Sequence, residues 1–91
     1  MASIEEQWIV GRFHLEASQN QWQLRVLPKN KLTDEIISDI NNTISELHIF
    51  LDSKPKTEEN LRQFQVEQDR LCRLLTFASI KSGFNVVMCK I

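Results

Sequence analysis

Only two glycines, Gly11 and Gly83, occur in the 91-residue chain. That excludes the glycine-rich loops that cradle phosphates and any collagen-like repeat. Two prolines, Pro28 and Pro55, are too few for a disordered or extended tract. No apolar run approaches the roughly 20 residues needed to span a membrane. The start, MASIEEQW, lacks the basic-then-apolar pattern of a secretory leader. A cytoplasmic, reducing setting is therefore expected, in which Cys72 and Cys89 remain thiols. Neither CxxC nor HExxH occurs, and the four soft donors, His14, His48, Cys72 and Cys89, lie on separate predicted elements. No metal site and no cofactor is expected.

What is present fits one compact domain over residues 1–91. The apolar share is 42% and the charged share 25%, both ordinary for a globular protein. Net charge is −1, which leaves no overall electrostatic footprint for nucleic acid. The charge is uneven: residues 33–60 hold seven acids against Lys54 and Lys56, and residues 61–91 hold five bases against Glu67 and Asp69. Two adjacent helices of opposite charge explain this without an outside partner, with Asp39 and Glu46 set beside Arg70 and Arg73.

Residues 7–17, QWIVGRFHLEA, alternate in the manner of a strand. Ile9, Gly11, Phe13, Leu15 and Ala17 share one face; Trp8, Val10, Arg12, His14 and Glu16 share the other. The polar stretch 18–21 reads as a turn, and Trp22, Leu24 and Val26 alternate after it. Pairing Ala17 with Trp22 sets Leu15 against Leu24 and Phe13 against Val26, a register in which every inner pair is apolar. Pro28 ends the second strand.

Thr33 is the expected N-cap of a helix with Asp34 and Glu35 in its first turn. Ile37, Ile40, Ile44, Leu47 and Leu51 form its apolar stripe, widened by Ile36, Ile49 and Phe50. Residues 52–56 stop it at Pro55. Thr57 caps a second helix whose stripe is Leu61, Phe64, Leu71, Leu74, Leu75 and Ala78, interrupted by Gln68. Ser82-Gly83 reads as its stop. The closing FNVVMCKI, residues 84–91, reads as a strand apolar on both faces. The predicted fold is α+β, of order β-β-α-α-β. The hairpin and last strand form one antiparallel or mixed sheet, and an antiparallel helix pair packs on one face of it.

No constellation of nucleophile, base and orienting group can be written, so the chain is not read as an enzyme. Cys72 and Cys89 fit as small buried hydrophobes. The reverse face of the hairpin presents Trp8, Val10 and Leu27, rimmed by Arg12, His14, Arg25 and Glu16. Apolar patches with polar rims mark association sites. The expected function is a small regulatory or adaptor module that binds another protein or a second copy of itself through Trp8, Val10, Arg12, His14, Arg25 and Leu27. The competing expectation is that Trp8 is covered within the chain. A single-stranded nucleic-acid platform, with Arg12, Arg25, Lys29 and Lys31 along the backbone and Trp8 stacking, is the alternative function. Glu16 interrupts that platform, and a sheet that stacks bases carries two or three aromatics, not one.

Overall fold

The computed structural model describes residues 2–24 and 32–82. They form three helices: α1 over Ile4–Leu24, α2 over Asp34–Asp52 and α3 over Glu58–Ser82. The described residues are 88% helical and contain no strand. This overturns the α+β expectation and the N-terminal hairpin. The predicted last strand at 84–91, the Gly83 stop, Arg25, Val26, Leu27 and Pro28 lie outside the described residues.

The region read as a hairpin is helical for three reasons. Ser3 starts it: its hydroxyl accepts from the Glu6 amide at 3.2 Å and its carbonyl accepts from the Gln7 amide at 3.0 Å. Ser-Ile-Glu-Glu is a capping-box sequence, and Glu5 and Glu6 lie where acids favour the helix dipole. Next, Ile4, Trp8, Gly11, Leu15, Ser18 and Trp22 recur at steps of four and three, the spacing of one helical face. Trp8, Leu15, Ser18 and Trp22 are all buried, and Ile4 packs against the core. Finally, Ser18-Gln19-Asn20-Gln21 contains no Gly or Pro, so nothing forces a turn there. Gln19 Oε1 instead meets His48 Nε2 at 2.9 Å on α2.

The other two helices begin where the sequence places them. Thr33 Oγ1 accepts from the Ile36 amide at 3.3 Å, and Thr57 Oγ1 accepts from the Asn60 amide at 3.1 Å. Ser53 closes α2 by donating its amide to the Ile49 carbonyl at 2.9 Å. Lys56 then reaches back over the end of α2. Its ammonium donates to the carbonyls of Phe50, at 3.0 Å, and Leu51. Those carbonyls have no partner within the helix, so the lysine both satisfies them and complements the negative end of the dipole.

Cross-helix contacts fix the topology. Trp22 donates to Asn41 Oδ1 at 3.0 Å, Gln19 meets His48, and Arg12 lies 3.9 Å from Asp52. As the α1 number falls, the α2 number rises, so these helices are antiparallel. Gly11 meets Phe64 and Ser18 meets Gln68, so α1 runs parallel to α3. The result is an up-down-up bundle. Its core is Leu15, Ile40, Leu47, Phe64, Leu71 and Leu75, each almost wholly enclosed, with an aromatic group at one end. There Phe64 lies 5.4 Å from Trp8 and 6.4 Å from Phe50, ring centre to ring centre. Such tilted and edge-on pairs add to the burial energy.

The expected attraction between α2 and α3 takes a different form. Ion pairs among the described residues run within α3, as Glu58 with Arg62, Glu67 with Arg70 and Asp69 with Arg73, or between α1 and α2. Asp39 and Glu46 do not pair with Arg70 or Arg73. Apolar packing joins these two helices, and their charged side chains stay at the surface, where pairing is worth little.

Candidate functional site

Of the six residues expected to form an association patch, the four that are described take different positions in the bundle. Trp8 is buried, which answers the question of what covers it: the Phe64 ring packs on it, and Lys56 Nζ lies 5.1 Å from its ring centre. Val10 is half exposed and Arg12 is exposed. His14 is half-buried and lines a cleft of about 180 Å³ between α1 and α3, together with Gly11, Gln68 and Cys72. Arg25 and Leu27 lie outside the described residues. The sheet that was to carry them, and to serve as a nucleic-acid platform, is absent from the described region.

Val10 and Arg12 nevertheless stand beside two residues that strand logic assigned to the core. Ile9 is 67% exposed, Phe13 63% and Val10 50%. At 100° per residue, Phe13 lies about 180° around α1 from the face that holds Ile4, Trp8, Leu15 and Trp22. Ile9 and Val10 lie within about 60° of Phe13, and Ala17 lies near it one turn on. Thus α1 has two apolar faces on opposite sides. One meets the bundle, and nothing among the described residues covers the other. Glu5 and Glu6 precede the outer face by one turn, and Arg12 flanks it. The signal for this face was the helical spacing of Ile9, Phe13 and Ala17, which a period of two also satisfies.

A second open surface lies between α2 and α3. It is a groove of about 510 Å³ floored by Ile49, Phe50 and Val66. Ile49 and Val66 are exposed. Lys54 and Arg62 line one end, and Glu46 and Glu67 line the other. Because α2 and α3 run antiparallel, the bases fall together and the acids fall together. Lys54 Nζ sits 4.1 Å from the Phe50 ring centre, a cation over an aromatic face. Glu67 Oε2 is buried without a hydrogen-bond partner, and its nearest base, Arg70 Nη1, is 3.8 Å away.

The α1–α3 cleft is the most polar interior region. Gln68 Nε2 donates to Ser18 Oγ at 3.2 Å and approaches Cys72 Sγ at 3.9 Å. Gln68 Oε1 and His14 Nε2 are buried with no partner. Among the described residues, no three of His, Cys, Asp and Glu converge to hold a metal ion. At about 180 Å³ the cleft is smaller than ordinary ligand pockets. No helix among the described residues is long and apolar enough to cross a membrane. No family model, curated protein or solved structure matches the chain.

Proposed function

We propose that this domain is a small, non-enzymatic protein–protein interaction module that self-associates through the outer face of α1. The observation that carries this reading is the exposure of Ile9, Val10 and Phe13 together, opposite the helix's own core face. Single exposed apolar residues are ordinary, but a contiguous group of three large ones on one rigid helix is a docking feature. Fully burying such side chains is worth about 1.5–3 kcal/mol each, and a third to a half of that is already realised in the monomer. The remaining gain must offset the loss of rotational and translational freedom. The reading is therefore a weak, concentration-dependent complex and not an obligate dimer. It needs no cofactor, and it takes the module to work in the cytoplasm.

Sedimentation velocity over a concentration series tests it. Wild-type protein sediments faster as concentration rises, and Phe13→Glu stays monomeric with an unchanged thermal melt. Wild-type protein that remains monomeric at the highest attainable concentration refutes the reading. So does a Phe13→Glu variant that loses stability instead of association.

A further inference from the structure

We infer that self-association is head-to-tail: the outer face of α1 in one copy occupies the α2–α3 groove of the next. This rests on the reading of α1 as a self-association surface and names the surface it meets. Three observations support it.

The first is placement. On α3, Val66 lies about 200° from Phe64, the residue on which Trp8 and Gly11 pack. The groove therefore opens on the side of the α2–α3 pair away from α1. Since the two apolar faces of α1 are also opposite each other, one α1 fits between two α2–α3 pairs, its own and a neighbour's. The second is content. The groove of about 510 Å³ has room for the projecting side chains of Ile9, Val10 and Phe13, and its floor of Ile49, Phe50 and Val66 is apolar.

The third is the order of charge. Along α1 the outer face begins acidic at Glu5 and Glu6 and continues apolar through Ile9, Val10 and Phe13; Arg12 lies on the flank within that apolar span, and Glu16 follows it. Along the groove the order is basic at Lys54 and Arg62, apolar in the middle, and acidic at Glu46 and Glu67. The spans agree. Glu6 to Arg12 is about 9 Å along α1 and Arg62 to Glu67 about 8 Å along α3. With Glu6 level with Arg62, Arg12 comes level with Glu67; within their own chain these two pair with Asp52 and Arg70 respectively. A symmetric pairing of two α1 helices about Phe13 instead sets Val10 against Glu16 of the second copy and leaves the groove empty.

Ridge and groove are different surfaces, so the contact is heterologous and repeats into a ring or a filament. Mixing decides this. Phe13→Glu removes the ridge and keeps the groove; Val66→Glu removes the groove and keeps the ridge. Both positions are exposed, and circular dichroism melts check that each variant folds. Ile49→Glu is a second groove variant should Val66→Glu unfold. Each variant alone sediments as a monomer. Their equimolar mixture forms a 1:1 dimer that grows no further, because the only intact ridge and the only intact groove are used. In the same format, Glu6→Lys weakens the dimer about tenfold when introduced on the ridge-bearing copy. Lys54→Glu on the groove-bearing copy restores it. If wild type assembles while the mixture stays monomeric, or if Val66→Glu assembles as wild type does, the head-to-tail contact is wrong and self-association stands. If wild type does not assemble at all, the functional reading fails with it.

Discussion

Gly11→Ala should destabilise the domain, against the usual direction for an alanine in a helix. In the middle of α1, alanine is favoured over glycine by about 1 kcal/mol on propensity alone. A Cβ built at Gly11, however, would lie 2.7 Å from one Phe64 ring carbon and 3.3 Å from the next. The ring cannot swing aside, because it is 1% exposed and held between Trp8 and Phe50. Overpacking of a filled core costs about 1–3 kcal/mol. At the middle of that range the clash exceeds the propensity gain, for a net loss of about 1 kcal/mol. For a domain of this size that lowers the melting temperature by roughly 4–8 °C. Thermal denaturation followed by circular dichroism reads it, and a double-mutant cycle assigns the cause. In a Phe64→Leu background the obstructing ring is gone, so Gly11→Ala becomes neutral or stabilising, a coupling of about 2 kcal/mol. A higher melting temperature in the wild-type background, or the same loss in both backgrounds, refutes the close packing of α1 on α3.

The polar pair inside the bundle should show the asymmetry of buried hydrogen bonds. Ser18→Ala alone leaves the Gln68 amide nitrogen without Ser18 in the interior and costs about 1–3 kcal/mol. Ser18→Ala with Gln68→Met removes both groups, and also the unpartnered Gln68 Oε1, so urea denaturation should find the double variant more stable than the single. Lys56→Met keeps a side chain of similar length but loses the ammonium that lies near Trp8 and releases the carbonyls of Phe50 and Leu51. A stability loss of about 1–2 kcal/mol in urea is expected, and an unchanged midpoint would remove Lys56 as the closure of α2.

The helices α2 and α3 were legible because each level of signal agreed. Threonine caps, acidic first turns, apolar stripes and a proline-bearing stop all indicated the same boundaries. Gln68 stood out as a polar residue within a stripe, and its explanation, Ser18 on α1, was invisible only because α1 had been assigned as strands. The misreading of α1 has a physical cause. Two of the six positions on its core face are Gly11 and Ser18, which hydropathy counts as gaps although both are packing positions. With those removed, Trp8, Leu15 and Trp22 form too sparse a helical stripe to compete with the alternation of Ile9, Phe13, Leu15 and Ala17. The Ser3–Glu6 capping box carried the opposite signal in four residues. Among the expected site residues, Val10 and Arg12 remained at the surface. Trp8 did not, because its partner Phe64 lies 56 positions away in the chain.

The feature that made α1 resemble a strand also bears on its function. A helix with one apolar face belongs at a surface; a helix with apolar faces on opposite sides belongs between two layers. Among the described residues only one layer is present, the α2–α3 pair beneath Trp8, Leu15 and Trp22. The proposed contact supplies the second from the outer side of a neighbouring α2–α3 pair, an apolar floor with Lys54 and Arg62 at the end that Glu5 and Glu6 would meet. Small residues at Gly11 and Ser18 bring α1 close to α3 on its inner side, while Phe13 and Ile9 project on the other. Inner packing is thus independent of outer contact. That independence is why Phe13→Glu is expected to leave the melting temperature unchanged while ending assembly, and why Gly11→Ala is expected to lower it whatever the assembly state.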